Sequence, residues 1–415
     1  MARIRPFKAL RPTKENAHLV ASVPYDVVNR EEAKQLAGND KLSFLHVTRS
    51  EIDLPDDVDA YDKRVYEKAK ENIENLITEA PLITDDKPHF YLYKLVMDGR
   101  AQVGITATFA VNDYDNDIIL KHEKTRKVKE DDRTNHIITT QTQTGVVFLT
   151  YRGTDAINNV VSKTLADEEA LFDFTSGDGI QHTVWIVPEE YNKIIIDEFS
   201  VIDKLYVADG HHRAKSASRA REEKRRANRN HTGDEEYNYM IAVIFPGDQL
   251  RILPYNRVVA DLNNNTKEEF INKINEKFEV VKTDHKEPSE ARNYGMYLDG
   301  EWYHLKARDS ILASNSLSDS VGDKLDVSIL QNFLLNPILG IEDPRTSDRV
   351  DFIGGIRGTK ELEKLVDSKK AAVAFSMYPV SVDDLMNISD AGEVMPPKST
   401  WFEPKLRDGL LTHRI

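Results

Sequence analysis

The clearest pattern along the chain is a short apolar run that breaks at a turn and continues as a polar helical stretch. Residues Leu205–Ala208 are apolar with β character, and Asp209-Gly210 follows them directly. Residues Ala214–Arg229 are rich in Ala, Lys, Arg and Glu, which favour helix. The pattern therefore predicts a buried strand, a tight turn, and a helix whose first turn contains His211–Arg213.

Similar patterns predict further elements on both sides of this stretch. Strand–turn–strand patterns surround Asp98-Gly99 and Asp299-Gly300, and Asp-Gly is a strong hairpin signal. Periodicity also predicts a strand at Ser43–Thr48, an amphipathic helix at Asp59–Ile77, a strand beginning at Ile118, a hairpin formed by Tyr239–Phe245 and Gln249–Val259, an apolar helix at Leu325–Leu335, and a buried strand at Ala371–Met377.

These elements predict an α+β fold with mixed sheets, because hairpins outnumber clean strand–helix–strand units. A polar break at Asn230–Asp234 separates two regions. We expect an N-terminal region over residues 1–230 and a C-terminal α+β region over residues 231–415. The turn-rich but apolar tail Met395–Leu411 is expected to pack back onto the body of the protein.

Composition narrows the class of protein. A chain of 415 residues with 40% hydrophobic and 30% charged residues is typical of a globular protein of two or three domains. No apolar run approaches the roughly 20 residues that span a bilayer, and no apolar segment follows the basic start, so we expect a cytoplasmic protein that does not engage membranes. The absence of cysteine excludes disulfides, thiolate catalysis and Cys-ligated metals.

The formal charge of −14 argues against a nucleic-acid partner, because duplex DNA binding rests largely on neutralisation of phosphates by Lys and Arg. The run Arg219–Arg229 is a local exception with many cations. Since cations suit the C-terminal turns of a helix, this run is interpreted as a solvated face.

The first turn of the central helix is a candidate anion site. The first N–H groups of a helix lack partners inside it and carry partial positive charge, so they attract phosphate or carboxylate. Gly210 permits a tight turn and close approach of an anion. The cations His211, His212 and Arg213 oppose the helix dipole there, unless they serve a bound anion. The alternative is an ordinary turn with Asp209 as N-cap.

Other side chains suit chemistry on a bound phosphate. Glu123 follows a predicted strand, and its carboxylate could take the proton of a hydroxyl nucleophile. Asp209 could hold Mg²⁺, and Arg213 could clamp phosphate at two points. The alternative for Glu123 is a surface pair with His122. A metal site made by histidines is disfavoured, since no His-x-x-x-His spacing occurs among His122, His136, His211 and His212.

Several short motifs are spread over the chain. They are Val-Pro-Tyr-Asp-Val at 23–27, His-Glu-Lys-Thr at 122–125, Asp-Asp-Arg at 131–133, Ala-Asp-Gly-His-His-Arg at 208–213, Leu-Pro-Tyr-Asn-Arg-Val at 253–258, and Met-Pro-Pro-Lys-Ser-Thr at 395–400. Together these motifs resemble the domain of unknown function 1015 family. The pair formed by His122-Glu123 and the later Asp-Gly-His-His-Arg at 209–213 also resembles the free L-serine kinases, which have a ParB/sulfiredoxin-like nucleotide-binding fold.

The resemblance implies a ParB/sulfiredoxin-like catalytic core within residues 1–230 and transfer of phosphate to a small hydroxy compound, free L-serine first, from ADP or ATP with Mg²⁺. It implies that Glu123 is the catalytic base, that Asp209 is an essential acid, and that Gly210–Arg213 bind phosphate, with His211 also catalytic. A nucleotide-binding regulatory module without turnover and a metal-dependent hydrolase stay open as alternatives. The choice between ADP and ATP, the residues that bind the acceptor, and the oligomeric state stay undetermined.

Overall fold

The structure is a computed structural model of the chain, and it describes residues 2–79, 81–312 and 320–415. Internal contacts divide the chain into two compact units. The first unit contains Met1–Lys121, Thr125–Leu250 and Pro404–Ile415, and the second contains His122–Lys124 and Arg251–Glu403. Within the described ranges, no helix is long and apolar enough to cross a membrane.

The first unit is built on a mixed sheet that has nine strands among the described residues. Two neighbouring pairs run parallel, namely Ile119–Leu120 with Leu205–Asp209 and Val147–Tyr151 with Tyr239–Pro246. The remaining neighbours run antiparallel. The order across the sheet is Ile119–Leu120, Leu205–Asp209, Val147–Tyr151, Tyr239–Pro246, Arg100–Ala110, Tyr91–Met97, Gln181–Ile186 and Phe172–Thr175, with Ile4–Arg5 added beside Arg100–Ala110.

Buried side chains from this sheet and from several helices form one hydrophobic cluster. The helix after the central turn contributes only small residues, Ala214 and Ala217, so it can approach the sheet closely. The α-helices of the first unit are Ala17–Val20, Arg30–Ala37, Leu45–Thr48, Lys63–Thr78, Val111–Asp115, Lys127–Thr140, Asp155–Asp167, Asn192–Val201 and His211–Ala227. Two short antiparallel pairs accompany them, Leu10–Pro12 with Leu82–Thr84 and Thr142–Gln143 with His413–Arg414.

The second unit is built on an antiparallel sheet, whose strands in order are Phe278–Lys282, Glu301–Ala307, Asn293–Leu298, Val373–Met377, Tyr255–Val259 and Val350–Gly354. Arg251–Leu253 pairs with Trp401–Glu403 beside it. Its helices are Lys267–Asn275, Asp309–Leu312, Asp326–Leu330, which continues as a wider π-helical turn over Gln331–Leu335, Gly358–Asp367 and Val382–Asp390. Both units combine helices with sheets, so the predicted α+β class is confirmed. The large sheet of the first unit is mixed, whereas that of the second unit is antiparallel.

The strand–turn–helix at the centre of the prediction is present. The strand is Leu205–Asp209 and the helix is His211–Ala227, so His211–Arg213 form the first helical turn as predicted. Both Asp-Gly hairpins are also confirmed, with the first joining Tyr91–Met97 to Arg100–Ala110. These elements rest on contacts close in sequence, which a local pattern can specify.

Two predicted elements are wrong. The apolar run at Ser43–Thr48 is a helix, Leu45–Thr48, because the Phe44 carbonyl accepts a hydrogen bond from the Thr48 N–H at 3.0 Å and closes a helical turn. A run this short is compatible with both the helical and the strand periodicity of apolar residues. The hairpin across residues 246–248 is absent, because Tyr239–Pro246 pairs with Arg100–Ala110 and Val147–Tyr151 instead.

The division of the chain near residue 230 into two domains stays a prediction. The change between the compact units comes later, at Leu250 to Arg251, and the last twelve residues return to the first unit. The expectation that the apolar tail packs back is met by Leu406, Leu410 and Leu411, which are buried.

Gly104 allows a close approach at the centre of the large sheet. A Cβ atom at this position would lie 2.7 Å from Val243 Cγ1 and 2.9 Å from the Ile244 carbonyl oxygen. Since inserted methyl groups in packed interiors cost about 1–3 kcal/mol, we expect Gly104→Ala to lower the free energy of unfolding by about that amount. Chemical denaturation measures this change.

Gly177→Ala is the matched control, because a Cβ at Gly177 meets no atom within 4 Å. We expect this control to leave the denaturation midpoint nearly unchanged. Equal stability of the two variants would show that the strand can shift to admit the methyl group.

His136 makes the first unit sensitive to acid. It is buried in helix Lys127–Thr140, where its Nε2–H donates to the Val47 carbonyl at 3.0 Å, and burial lowers its pKa to about 4. In the unfolded chain a histidine takes up a proton near pH 6.5, whereas the folded chain resists protonation until near pH 4. The contribution of neutral His136 to folding stability is therefore fully present above about pH 6.5 and is lost as the pH falls from there toward 4.

We expect this single group to remove about 1 kcal/mol of folding free energy between pH 7.5 and pH 5.5. His136→Gln keeps a donor for Val47 but cannot titrate, so its unfolding free energy should fall by about 1 kcal/mol less over the same interval. His285→Gln, at an exposed histidine, serves as control. Identical pH slopes for the wild-type chain and His136→Gln would contradict the assignment.

Candidate functional site

The turn between strand Leu205–Asp209 and helix His211–Ala227 is held in an uncommon backbone conformation. Gly210 has φ +89°, in the left-handed region that favours glycine. A Cβ at this position would also lie 3.0 Å from Arg213 Nε. The first helical hydrogen bond runs from the Ala214 N–H to the Gly210 carbonyl at 2.9 Å, so three amides precede it. The geometry is that of a helix N-terminus suited to an anion.

Asp209 ends the strand with both carboxylate oxygens engaged. Its Oδ1 accepts the Gly210 N–H at 2.8 Å, and its Oδ2 accepts from Lys405 Nζ at 3.0 Å. Arg213 NH2 lies 3.8 Å from the same Oδ2. Although burial raises the pKa of Asp209, the charges of Lys405 and Arg213 outweigh this effect and hold it well below its usual range. Asp209 is therefore ionised, and it does not cap the helix, since the N-cap is Gly210.

Arg213 is turned into the protein. Its side chain is 6% exposed, and its guanidinium donates to the Val146 carbonyl and lies 3.6 Å from a carboxylate oxygen of Asp26. Its buried Nε, beside Gly210, has no hydrogen-bond partner among the described residues. Most of this guanidinium is already engaged with groups of the first unit. The predicted two-point clamp on phosphate stays a prediction.

The two histidines of the helical turn differ in their surroundings. His211 is buried, and burial lowers its pKa to about 4, so it is neutral near pH 7. His212 is half-buried, and its Nε2 accepts the Arg126 N–H at 3.0 Å. An Nε2 that accepts carries no proton. His212 thus links the start of the helix to the loop before helix Lys127–Thr140, and protonation of Nε2 would break that link.

Glu123 belongs to a different part of the chain from the other candidates. Strand Ile119–Leu120 runs parallel to Leu205–Tyr206, so the C-terminal ends of both strands lie on the same side of the sheet. Glu123 is half-buried and follows three residues after this strand. Its segment, His122–Lys124, groups by contacts with the second unit. The role of Glu123 as a base stays a prediction.

The structure adds residues that the sequence reasoning missed. Lys405 reaches Asp209, and Asp408 is buried close to Arg213 and Arg133. Burial raises the pKa of Asp408 to about 7, while Arg213 opposes that rise, and its Oδ2 has no hydrogen-bond partner among the described residues. The available signal was weak: both are charged residues inside the apolar tail Met395–Leu411.

Asp408 and Arg213 line a small cavity together with Tyr25, Arg133 and His136. The cavity has a volume of about 20 Å³. A water molecule needs at least roughly 10–15 Å³ on this measure, so the cavity suits about one water and is too small for a metabolite.

The side chains at Asp209 do not fit the Mg²⁺ that we expected this residue to hold. Mg²⁺ needs oxygen ligands, and its protein ligands are usually one or two carboxylates beside phosphate oxygens. Over the described ranges, no group of three or more His, Asp or Glu side chains could hold a metal ion. At Asp209 the Lys405 ammonium already stands on Oδ2, and the Gly210 N–H occupies Oδ1.

Comparison with solved structures gives distant similarities. A free serine kinase variant in complex with AMP matches with a TM-score of 0.35 and 10% identity, covering 74% of this chain and 92% of its own. SbnI with a C-terminal truncation from Staphylococcus aureus matches with a TM-score of 0.37 and 12% identity, covering 74% and 87%. A conserved hypothetical protein from Pyrococcus furiosus matches with a TM-score of 0.33 and 10% identity, covering 74% and 94%. Similarity at this level decides neither the fold nor the activity.

Comparison with curated protein sequences finds no match. The profile of a family described as protein of unknown function (DUF1015) matches residues 4–328. The match includes His122-Glu123 and the turn at Asp209–Arg213, and it ends before the segment Pro404–Ile415. Because the match covers well over half of the sequence, the chain belongs to the DUF1015 family.

Proposed function

We propose that this protein is a phosphotransferase that phosphorylates the hydroxyl group of a small metabolite. Free L-serine is the first candidate acceptor, giving O-phospho-L-serine, and ADP or ATP is the candidate donor. The proposal includes a ParB/sulfiredoxin-like nucleotide-binding core within residues 1–230. The observation that carries it is the turn at Asp209–Arg213, where a strand end, a left-handed glycine and a helix N-terminus coincide.

The turn supports binding of a phosphate group for electrostatic reasons. Amides before the first helical hydrogen bond present N–H groups, and the helix adds partial positive charge. The left-handed Gly210 lets an oxygen approach the backbone where a side chain would clash with Arg213. His211 and His212 flank this position, and buried Arg213 Nε faces it.

In the proposed reaction the acceptor hydroxyl attacks the terminal phosphorus of the donor. The new bond joins the acceptor oxygen to phosphorus, and the bond from phosphorus to the bridging oxygen of the donor breaks. The hydroxyl proton passes to Glu123, and the products are AMP from ADP or ADP from ATP. Rate enhancement would rest mainly on positioning and charge neutralisation. Mg²⁺ carried by the nucleotide would neutralise part of the charge on its phosphates, without Asp209 as a ligand.

The second candidate is a nucleotide-binding regulatory module without turnover. It is favoured by the engagement of Asp209 and Arg213, whose charges are matched within the first unit. A site in which the charged groups are already paired can hold a ligand without assisting a reaction. Acceptor-dependent formation of product separates the two candidates.

The variant Gly210→Ala tests whether the turn binds the donor. In Gly210→Ala a Cβ would press against Arg213 Nε at 3.0 Å and strain a backbone with φ +89°. We expect donor affinity, measured by calorimetry, to fall by at least about tenfold, the loss of about one charged hydrogen bond.

Gly179→Ala is the matched control for the strain that a side chain causes in a left-handed backbone. Gly179 has φ +83°, and a Cβ there meets nothing within 4 Å. This variant should lose stability through its backbone alone and keep donor affinity. If folded Gly210→Ala binds the donor as tightly as the control does, the turn is not the phosphate site.

The second prediction tests the base. Glu123→Gln keeps the shape of the side chain but cannot accept a proton. Because general bases contribute about 10²–10⁴-fold, we expect the turnover rate to fall by that factor while donor affinity changes little. Product formation by mass spectrometry and donor binding by calorimetry give the two readouts.

Glu279→Gln, at an exposed carboxylate of the second unit, is the control and should match the wild-type rate. Near-normal turnover in Glu123→Gln would remove Glu123 from the mechanism. Donor binding with no product in the wild-type chain, across a broad panel of hydroxy metabolites, would favour the regulatory module.

A further inference from the structure

The C-terminal segment Pro404–Ile415 is part of the first unit and is fixed there along its length. Ser22 and Asp408 exchange backbone hydrogen bonds at 3.1 and 2.9 Å, and Leu10 and Thr412 exchange two at 3.0 Å. His413–Arg414 pairs as a strand with Thr142–Gln143. Arg407 adds an ion pair to Asp178. This segment lies outside the residues that the family profile matches.

These anchors place Lys405 at the turn. Its neighbours Leu406 and Arg407 are buried, and the Arg407 N–H donates to the Tyr93 hydroxyl at 3.2 Å. Lys405 itself is 14% exposed at the side chain, with Nζ 3.0 Å from Asp209 Oδ2. Lys405 differs from a surface lysine, since the residues that follow it are buried and its ammonium is paired with Asp209.

The Lys405 ammonium lies where a cation bound to Asp209 Oδ2 would lie. Asp209 Oδ1 is taken by the Gly210 N–H, so Oδ2 is the oxygen available for a cation, and Lys405 stands on it. An ammonium offers three N–H donors and binds phosphate as a point charge. Asp209 would orient Lys405 beside the helix N-terminus in the way a carboxylate orients a metal.

We propose that Lys405 is the cation of the phosphate site, held at the turn by Asp209 in the place of a divalent metal ion. The inference rests on the proposed function and deepens it. Lys405 is a phosphate-binding residue, and Asp209 is a positioning residue that acts through it. The site is then complete only when the C-terminal segment has returned to the first unit.

The test uses the full chain and two probes that need neither acceptor nor turnover. The first probe is Mn²⁺, followed by electron paramagnetic resonance. The wild-type chain should show no Mn²⁺ site that depends on Asp209, whereas Lys405→Met should gain one. The double variant Lys405→Met with Asp209→Asn should lose it again.

The second probe is pyrophosphate, followed by calorimetry without metal. Lys405→Met should weaken its binding at least tenfold, and Lys405→Arg should restore most of it because the charge returns. Lys68→Met, which removes a half-buried lysine paired with Glu71 in the same unit, is the control and should bind normally. Lys405→Gln keeps a hydrogen-bond donor for Asp209 and replaces Lys405→Met if that variant does not fold.

Three results would overturn the inference. The first is Mn²⁺ bound by the wild-type chain and lost in Asp209→Asn, which makes Asp209 a metal ligand. The second is unchanged pyrophosphate binding in folded Lys405→Met and Lys405→Gln, which makes the ion pair structural. The third is no pyrophosphate binding by the wild-type chain. Failure of the proposed function is separate, because it appears as absent product while both probes behave as stated.

Discussion

The ion pair between Asp209 and Lys405 is the interaction on which the proposed phosphate site depends. A half-buried carboxylate is costly unless cations and donors surround it, and Asp209 has Lys405, Arg213 and the Gly210 N–H. Lys405 is separated from Asp209 by 196 positions in the sequence, and most of the second unit lies between them. The tail therefore completes the charge balance of a turn formed much earlier.

The local part of this site could be predicted from sequence because its causes are local. An apolar run, an Asp-Gly break and strong helix formers specify Leu205–Asp209 and the helix from His211 without distant partners. The short run at Ser43–Thr48 lacked such signals, since a few apolar residues fit either period. The prediction of a hairpin after Tyr239 was wrong for another reason. Strand pairing depends on the whole sheet, and Tyr239–Pro246 pairs with two strands that are distant in sequence.

The contacts of Lys405 and Asp408 could not be predicted, because no local sequence pattern around either residue indicates which distant side chains it will meet. Arg213 shows the same limit in reverse. Its position in the first helical turn was predicted, but the orientation of its side chain was not. That orientation depends on its contacts with the Val146 carbonyl and Asp26, which only the tertiary structure brings close. Sequence patterns locate a side chain on an element, whereas the fold decides which atoms it faces.

Magnitudes show how much of nucleotide binding this turn can supply. Micromolar affinity corresponds to about 8 kcal/mol. A helix N-terminus contributes about 0.3–1 kcal/mol, up to ~2 in partly buried geometry, and a charged hydrogen bond contributes about 1.5–3 kcal/mol. The formal charges of Asp26, Asp209, Arg213 and Lys405 cancel, so a phosphate gains from Lys405 only by sharing it with Asp209. Together these terms come to about 2–5 kcal/mol. The remaining roughly 3–6 kcal/mol must therefore come from contacts that the adenosine part of a nucleotide makes away from the turn.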